Sequence, residues 1–321
     1  MGSLAALDAL SVSVLITYYG ERELLRECLE SLSRQTRVPH EILVHDDASD
    51  APAEHYVPVG MNVRILRGRS NRGPAFGRNE LLSASTGEYV HFHDADDLFH
   101  PEWHARVCAA IEETRSDVVF TEIDAHTAAG LRSPRVLALD KLVAGADLVR
   151  FCIQGVMLVP SGTYRRETVQ AIGGYRVAQW QAEDFDFHVR LAASRPSYAI
   201  ITDPLVTIRV RTDGRSHDRV QTWCSFVDAV ATLAHELPPS YRSDFADAAA
   251  RAGSTLFKLG ARDQARAAFR LAERLGPPRF TNQPRLYRLL ARALGFEAAE
   301  HIARMYRTLL PAPVRAAIRP R

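Results

Sequence analysis

Tyr89-Val-His-Phe-His93 is a run of strand-forming residues that ends in Asp94-Ala95-Asp96-Asp97, and Pro101 to Thr114 then follows with a helical pattern. A strand that delivers carboxylates at its carboxyl end and turns into a helix is the building unit of an open α/β sheet, where ligands bind. The same rhythm precedes it. Val12-Ser-Val-Leu-Ile-Thr17 reads as a buried strand, followed by Leu24, Leu25, Cys28, Leu29 and Leu32 on one helical face. Glu41–His45 and Val63–Leu66 are further strands, Pro74–Ser85 a helix with proline in its first turn, and Asp117–Thr121 a fifth strand. The alternation predicts an α/β fold, a mostly parallel, Rossmann-like central sheet flanked by helices. After about residue 125 the rhythm breaks, returning as a helix at Glu183–Ala193 and short strands at 198–202 and 206–211. From His217 the pattern is helical, which sets expected domains of 1–216 and 217–321.

Composition narrows the class. Hydrophobic residues make up 46% and charged residues 24% of the 321, an ordinary balance for a globular protein, and the net charge of +2 gives no argument for a nucleic-acid partner. Four widely spaced cysteines match no metal-ligand pattern and predict reduced thiols. No run is long enough to cross a membrane and Met1–Leu10 has no signal-peptide character, so a cytoplasmic location is expected.

Three strand ends carry chemistry: Thr17-Tyr18-Tyr19-Gly20, His45-Asp46-Asp47-Ala48-Ser49-Asp50, and Asp94-Ala95-Asp96-Asp97. An aromatic ring can stack on a nucleobase, and a carboxylate can accept bonds from a base or ribose. Closely spaced carboxylates can hold Mg²⁺ or Mn²⁺, which needs only one or two protein oxygens when phosphates and water complete its shell. The bland alternative is that these aspartates cap turns and helices, and it weighs most for Asp97. His45, His91 and His93 suggest core or cleft lining rather than metal ligands.

These motifs, in this order, resemble a family 2 glycosyltransferase, an inverting class with the A-type nucleotide-diphospho-sugar transferase fold. The resemblance runs from about Val12 to Arg211. It implies a nucleotide-diphosphate sugar as donor and a divalent metal, Mn²⁺ or Mg²⁺. By resemblance Tyr19, beside Thr17, stacks on the nucleobase, Asp47 reads the base, and Arg78 in Asn71-Arg-Gly-Pro-Ala-Phe-Gly-Arg78-Asn79 faces donor phosphate or base. Asp96 contacts the metal, and Asp94 the ribose, the metal, or both. Ile172-Gly-Gly-Tyr175 with Glu183-Asp184 resembles the family's acidic pair, Asp184 being the expected base and Glu183 the acceptor-holding or structural partner; the alternative is that both acids favour a helix N-terminus.

The chain departs from the pattern at Thr17 (proline is usual), at Ala48 (glycine is usual), and where the family often has a histidine. There the sequence is Ile208-Arg-Val-Arg211, so Arg211 clamps diphosphate, His217 supplies the imidazole, or Arg209, Arg211, Arg215 and Arg219 form a solvated loop. The expected function is inverting transfer from a UDP-, GDP- or dTDP-sugar, UDP favoured, to a hydroxyl of a glycan, lipid-linked or small-molecule acceptor. Two alternatives stand beside it. One is a catalytically silent sugar-nucleotide- or partner-binding module. The other is a nucleotidyltransferase, disfavoured because no glycine-rich phosphate loop with a lysine opens the chain. Downstream, Leu256–Phe269 and Leu271–Pro277 resemble one tetratricopeptide-like hairpin, expected to pack on the catalytic domain. From Arg279 to Arg321 nine arginines face only Glu297 and Glu300. The amphipathic stretch His301–Arg321 is expected either to pack as an ordinary helix with a solvated face or to make peripheral contact with the inner membrane face.

Overall fold

The computed structural model describes residues 10–127, 130, 132–154, 157–211, 218–278 and 284–309, without side chains for 307–309. The chain divides into two compact units, Met1–His217 and Asp218–Arg321.

In the first unit β1 (Val12–Tyr18) is almost wholly buried and pairs in parallel with β2 (Glu41–Asp46) on one side and β4 (Tyr89–Asp94) on the other. β3 (Arg64–Arg67) extends the parallel set beyond β2. Helix α1 (Glu23–Ser33) closes the first crossover and buries Leu25, Cys28, Leu29 and Leu32, the spacing of one helical face. Helix α2 (Pro74–Ala84) closes the crossover into β4. Because β1 sends its connection to one neighbour while β4 lies on the other side, the crevice at the carboxyl ends of β1 and β4 is the switch point where open sheets bind ligands.

Beyond β4 the sheet becomes mixed. After β5 (Leu98–Phe99) and α3 (Trp103–Thr114), β6 (Val118–Thr127) runs to the short β7 (Arg132–Ser133). Helices α4 (Asp140–Val143) and α5 (Leu148–Gln154) precede β8 (Gly162–Arg165), which inserts antiparallel between β4 and β6. Helices α6 (Arg166–Ala171) and α7 (Glu183–Ala193) lead to β9 (Tyr198–Val210), parallel to β6. Among the described residues the sheet has nine strands in the order β3-β2-β1-β4-β8-β6-β9-β5, with β7 paired to β6. The two short strands expected at 198–202 and 206–211 are one strand. Pro204, which lacks an N–H, sits opposite Glu122 at a register shift, so the ladder tolerates it. The missed β8 is only four residues long and leaves little periodicity to read.

The second unit is helical: α8 (Arg219–Glu236), α9 (Arg242–Lys258), α10 (Arg262–Leu275), α11 (Arg285–Leu294) and α12 (Phe296–Leu309). α9 and α10 form the expected hairpin about Gly260, whose φ of 86° lies in the left-handed region open to glycine. At Gly253 an added Cβ would lie 2.5 Å from the Phe269 ring, so the missing side chain lets these two helices close up. Within this unit α8 and α12 also pack on the hairpin.

Candidate active site

Register brings the first two site residues together. Thr17 on β1 lies directly beside Asp94 on β4, and its hydroxyl donates to Asp94 Oδ1 at 3.3 Å. Strand alternation then separates the two tyrosines. Tyr18 is buried and donates to the Ala51 carbonyl at 2.6 Å, whereas Tyr19 in the following bend is 57% exposed and presents an open ring.

The second strand end divides its acids by role. Asp46 is fully buried, accepts from the Ser49 and Ala53 amides and pairs with Arg67 at 2.8 Å, so it builds the turn. Asp47 accepts from the Arg72 amide at 2.9 Å and the Gly73 amide at 2.7 Å, tying the β2 end to the entry of α2. Each carboxylate oxygen carries two lone-pair sites, so capacity for a further donor remains. A Cβ on Gly73 would come within 3.0 Å of the Trp180 ring, which places the half-exposed Trp180, just before α7, against this entry.

Arg78 links the halves of the site. It is 2% exposed, and its guanidinium donates from Nη2 to Asp94 Oδ1 at 2.7 Å and from Nη1 to Glu183 Oε1 at 2.9 Å, while Cζ lies 5.1 Å from the Tyr175 ring centroid. The structure therefore sets Arg78 between two carboxylates, not open toward solvent. Removing one partner of such a buried pair costs about 3–5 kcal/mol, because the other charge stays desolvated. Glu183 is buried by this contact, and the next residue, Asp184, sits half-buried in the first turn of α7 with Oδ1 accepting the Phe185 amide at 2.8 Å. Asp186, two positions on, is a framework acid: buried, and paired with Arg176 at 3.0 Å and Arg190 at 2.7 Å.

The Asp94-Ala-Asp-Asp97 loop is fastened from β9. Asp97 is buried and accepts the Arg209 amide at 3.0 Å, while the Arg209 side chain bonds the Asp96 carbonyl, Glu27 and the Leu24 carbonyl. Arg209 is thus a latch, not a solvated charge. Arg211 reaches Asp96 Oδ2 at 3.4 Å. His217 and Arg215, weighed above for this region, lie outside the described residues.

Burial raises the Asp96 carboxyl above its usual range and the neighbouring Asp94 raises it further, against the pull of Arg211. Glu21, just past the Tyr19 bend, is pushed up to about 7, first by burial and also by Asp96 and Asp94. Glu21 also accepts the Tyr19 amide at 2.5 Å and so shapes the bend. Its only signal in the sequence is its place three residues after a strand end. A carboxyl raised by its acidic neighbours in this way marks a place where added positive charge is favourable. Asp94 and Asp96 keep 35% and 27% of their side chains exposed. Two strand-end carboxylates with water and phosphate oxygens are a donor set that suits Mg²⁺ or Mn²⁺.

His91 and His93 belong to the core. His91 Nδ1 lies 3.0 Å from the Gly162 carbonyl, which only accepts, so that nitrogen carries the proton; His91 Nε2 then accepts from His93 Nδ1 at 3.2 Å. His93 stacks on Phe99 with ring centroids 3.8 Å apart.

Comparison with known proteins agrees with this fold. The sequence model of Glycosyl transferase family 2 matches residues 13–170. The O-antigen biosynthesis protein RfbC of Myxococcus xanthus is 31% identical over 196 residues, which is 58% of this chain and 14% of that protein. The uncharacterized glycosyltransferase YwdF of Bacillus subtilis (strain 168) is 28% identical over 187 residues, 57% of this chain and 68% of that one. The chain thus spans about a seventh of one relative and two thirds of the other. Among solved structures, S. aureus TarS 1-349 in complex with UDP-GlcNAc aligns with a TM-score of 0.69 at 20% identity, over 94% of this chain and 93% of that one. The mannosyltransferase PcManGT from Pyrobaculum calidifontis, in complex with GDP-Man and Mn²⁺, aligns with a TM-score of 0.61 at 19% identity, over 95% and 82%. These two share the fold. With the family match lying on the strands and helices that carry Thr17, Asp47, Arg78, Asp94 and Asp96, residues 13–170 are a glycosyl transferase family 2 domain.

Proposed function

We propose that this protein transfers a sugar, with inversion at the anomeric carbon, from a UDP-sugar to an acceptor hydroxyl in the synthesis of a cell-surface glycan. The observation that carries this reading is the Arg78 bridge, which joins the strand-end acid Asp94 to Glu183 and so fixes the neighbouring Asp184 relative to the carboxylates of β4. Tyr19 stacks on the base and Asp47 accepts from it. Asp94 holds ribose or metal, and Asp96 holds a divalent cation. When bound, Mn²⁺ or Mg²⁺ offsets the negative charge growing on the departing diphosphate. Arg211 adds a second positive group beside Asp96 for the same phosphates.

Asp184 is the base. Its carboxylate takes the acceptor's proton as the hydroxyl oxygen forms its bond to the anomeric carbon, and the bond to the diphosphate oxygen breaks with its electron pair leaving on the nucleotide. Base catalysis of this kind is typically worth about 10²–10⁴-fold. Glu183, held by Arg78, positions the turn and does not move the proton. The preference for uridine draws on the UDP-GlcNAc complex of TarS, and the glycan acceptor on the O-antigen role in the name of RfbC. A silent binding module gives no physical reason to keep both the strand-end acids and Asp184.

A thermal-shift panel of UDP-, GDP- and dTDP-sugars, run with Mn²⁺ and with chelator, tests the donor assignment. A donor at about 100 times its Kd adds about 2.7 kcal/mol of stability. The UDP-sugar with Mn²⁺ is expected to give the largest shift, and Asp96→Asn to reduce it. A GDP- or dTDP-sugar giving the larger shift, or a UDP-sugar shift untouched by chelator, would overturn the donor or metal assignment respectively.

A further inference from the structure

Helix α11 carries two parallel rows of side chains on its outer side. Leu286, Leu289 and Ala293 form one row at spacings of three and four, and Arg285, Arg288 and Arg292 form the row beside it. Leu286 and Leu289 are each 63% exposed and Leu294 is 58% exposed. The opposite side anchors the helix: Tyr287 and Ala291 are buried, and the Tyr287 hydroxyl donates to the buried Glu300 at 2.8 Å. With that face pinned inward, the leucine row is held outward. α12 also exposes Met305 and Tyr306.

α11 itself carries charge of one sign. The acids of α11 and α12 are Glu297 and Glu300; Glu300 is buried, and Glu297 is paired with Arg266 at 2.8 Å. Leucines beside arginines, on a helix without a single acid of its own, match a bilayer surface, where leucines enter the acyl boundary and guanidiniums meet anionic headgroups. The same charge disfavours other occupants. Residues 310–321 contain three arginines and no acid, and a second copy would bring the same basic row. We propose that the outer face of α11 docks on an anionic lipid bilayer. This inference rests on α11 alone and is independent of the donor site.

The test is co-sedimentation of the full chain with vesicles of phosphatidylcholine alone or mixed with phosphatidylglycerol. The protein is expected on the mixed vesicles and not on phosphatidylcholine, with binding that weakens as salt is raised. Each arginine near an anionic surface strengthens binding by roughly fivefold, so Arg285→Gln/Arg288→Gln/Arg292→Gln is expected to weaken it on the order of a hundredfold. Leu286→Ser/Leu289→Ser is expected to weaken it by roughly tenfold or more at low salt, with unchanged thermal unfolding because both positions are exposed. No binding to the mixed vesicles, or both variants binding as the parent does, would overturn the proposal. So would retention by soluble polyglutamate without vesicle binding, which would point to an acidic protein, or a concentration-dependent dimer abolished by the leucine variant.

Discussion

Arg78 shows what a single side chain contributes. A planar fork meets Asp94 with one nitrogen and Glu183 with the other, a fixed geometry that the compact ammonium of a lysine does not reproduce. Arg78→Lys is therefore expected to keep the fold and lower transfer on the order of 100-fold through misplacement of the α7 turn, as a positioning error of about 1 Å does. Steady-state kinetics check this, and a kcat within a few-fold of the parent's would contradict it. Ala48 gives a prediction of opposite sense. It occupies the left-handed region at φ 60°, which costs a non-glycine residue about 1–2 kcal/mol, partly offset by the extra freedom glycine has when unfolded. Ala48→Gly is expected to stabilise the protein by about 0.5–1 kcal/mol in urea unfolding, and a net loss would contradict the strain. The sequence could show that Ala48 stands where glycine is usual, but not why. It could mark Arg78, but not that two carboxylates separated by 89 positions would enclose it, because that contact depends on tertiary packing.

At the scale of elements, β4 couples the site to the core. Its aspartates reach the crevice while His91 and His93, earlier on the same strand, are buried without charge. Burial holds His91 well below its usual range, His93 down to about 3, and His188 on α7 down to about 4. The unfolded chain titrates these groups near 6.5, so below about that pH it binds protons the native state excludes, and stability falls as pH drops from there toward the native values. Glu21, raised to about 7, contributes in the opposite sense, but three rings outweigh one carboxyl, so the urea midpoint is expected to be lower at about pH 5 than at about pH 7, and a midpoint that does not fall would contradict this balance. The parallel half of the sheet was legible because β1 and β4 are apolar runs that lead into helices, α1 keeping Leu25, Cys28, Leu29 and Leu32 on one face. The segment from 125 to 182 was not. Its backbone is organised by non-local contacts, among them buried Glu122 accepting the Leu137 and Leu139 amides at 2.7 and 3.0 Å, and such contacts leave no periodic trace.

For the whole molecule, strand ends far apart in sequence come together in the first unit, where Arg78 and Thr17 meet Asp94 and Arg78 meets Glu183. The order of motifs along the chain pointed to the fold. The division of labour among the acids needed coordinates, since Asp46, Asp97 and Asp186 prove to be framework, whereas the ligand roles proposed above fall to their neighbours Asp47, Asp96 and Asp184. The most direct measurement pairs binding with turnover in Asp184→Asn, a change of nearly equal size that removes the basic carboxylate. Nucleotide-sugar binding with Mn²⁺ is expected to stay at the parent's level while transfer falls by about 10²–10⁴-fold. Transfer within tenfold of the parent's at unchanged binding would show that the proton goes elsewhere and would contradict the account.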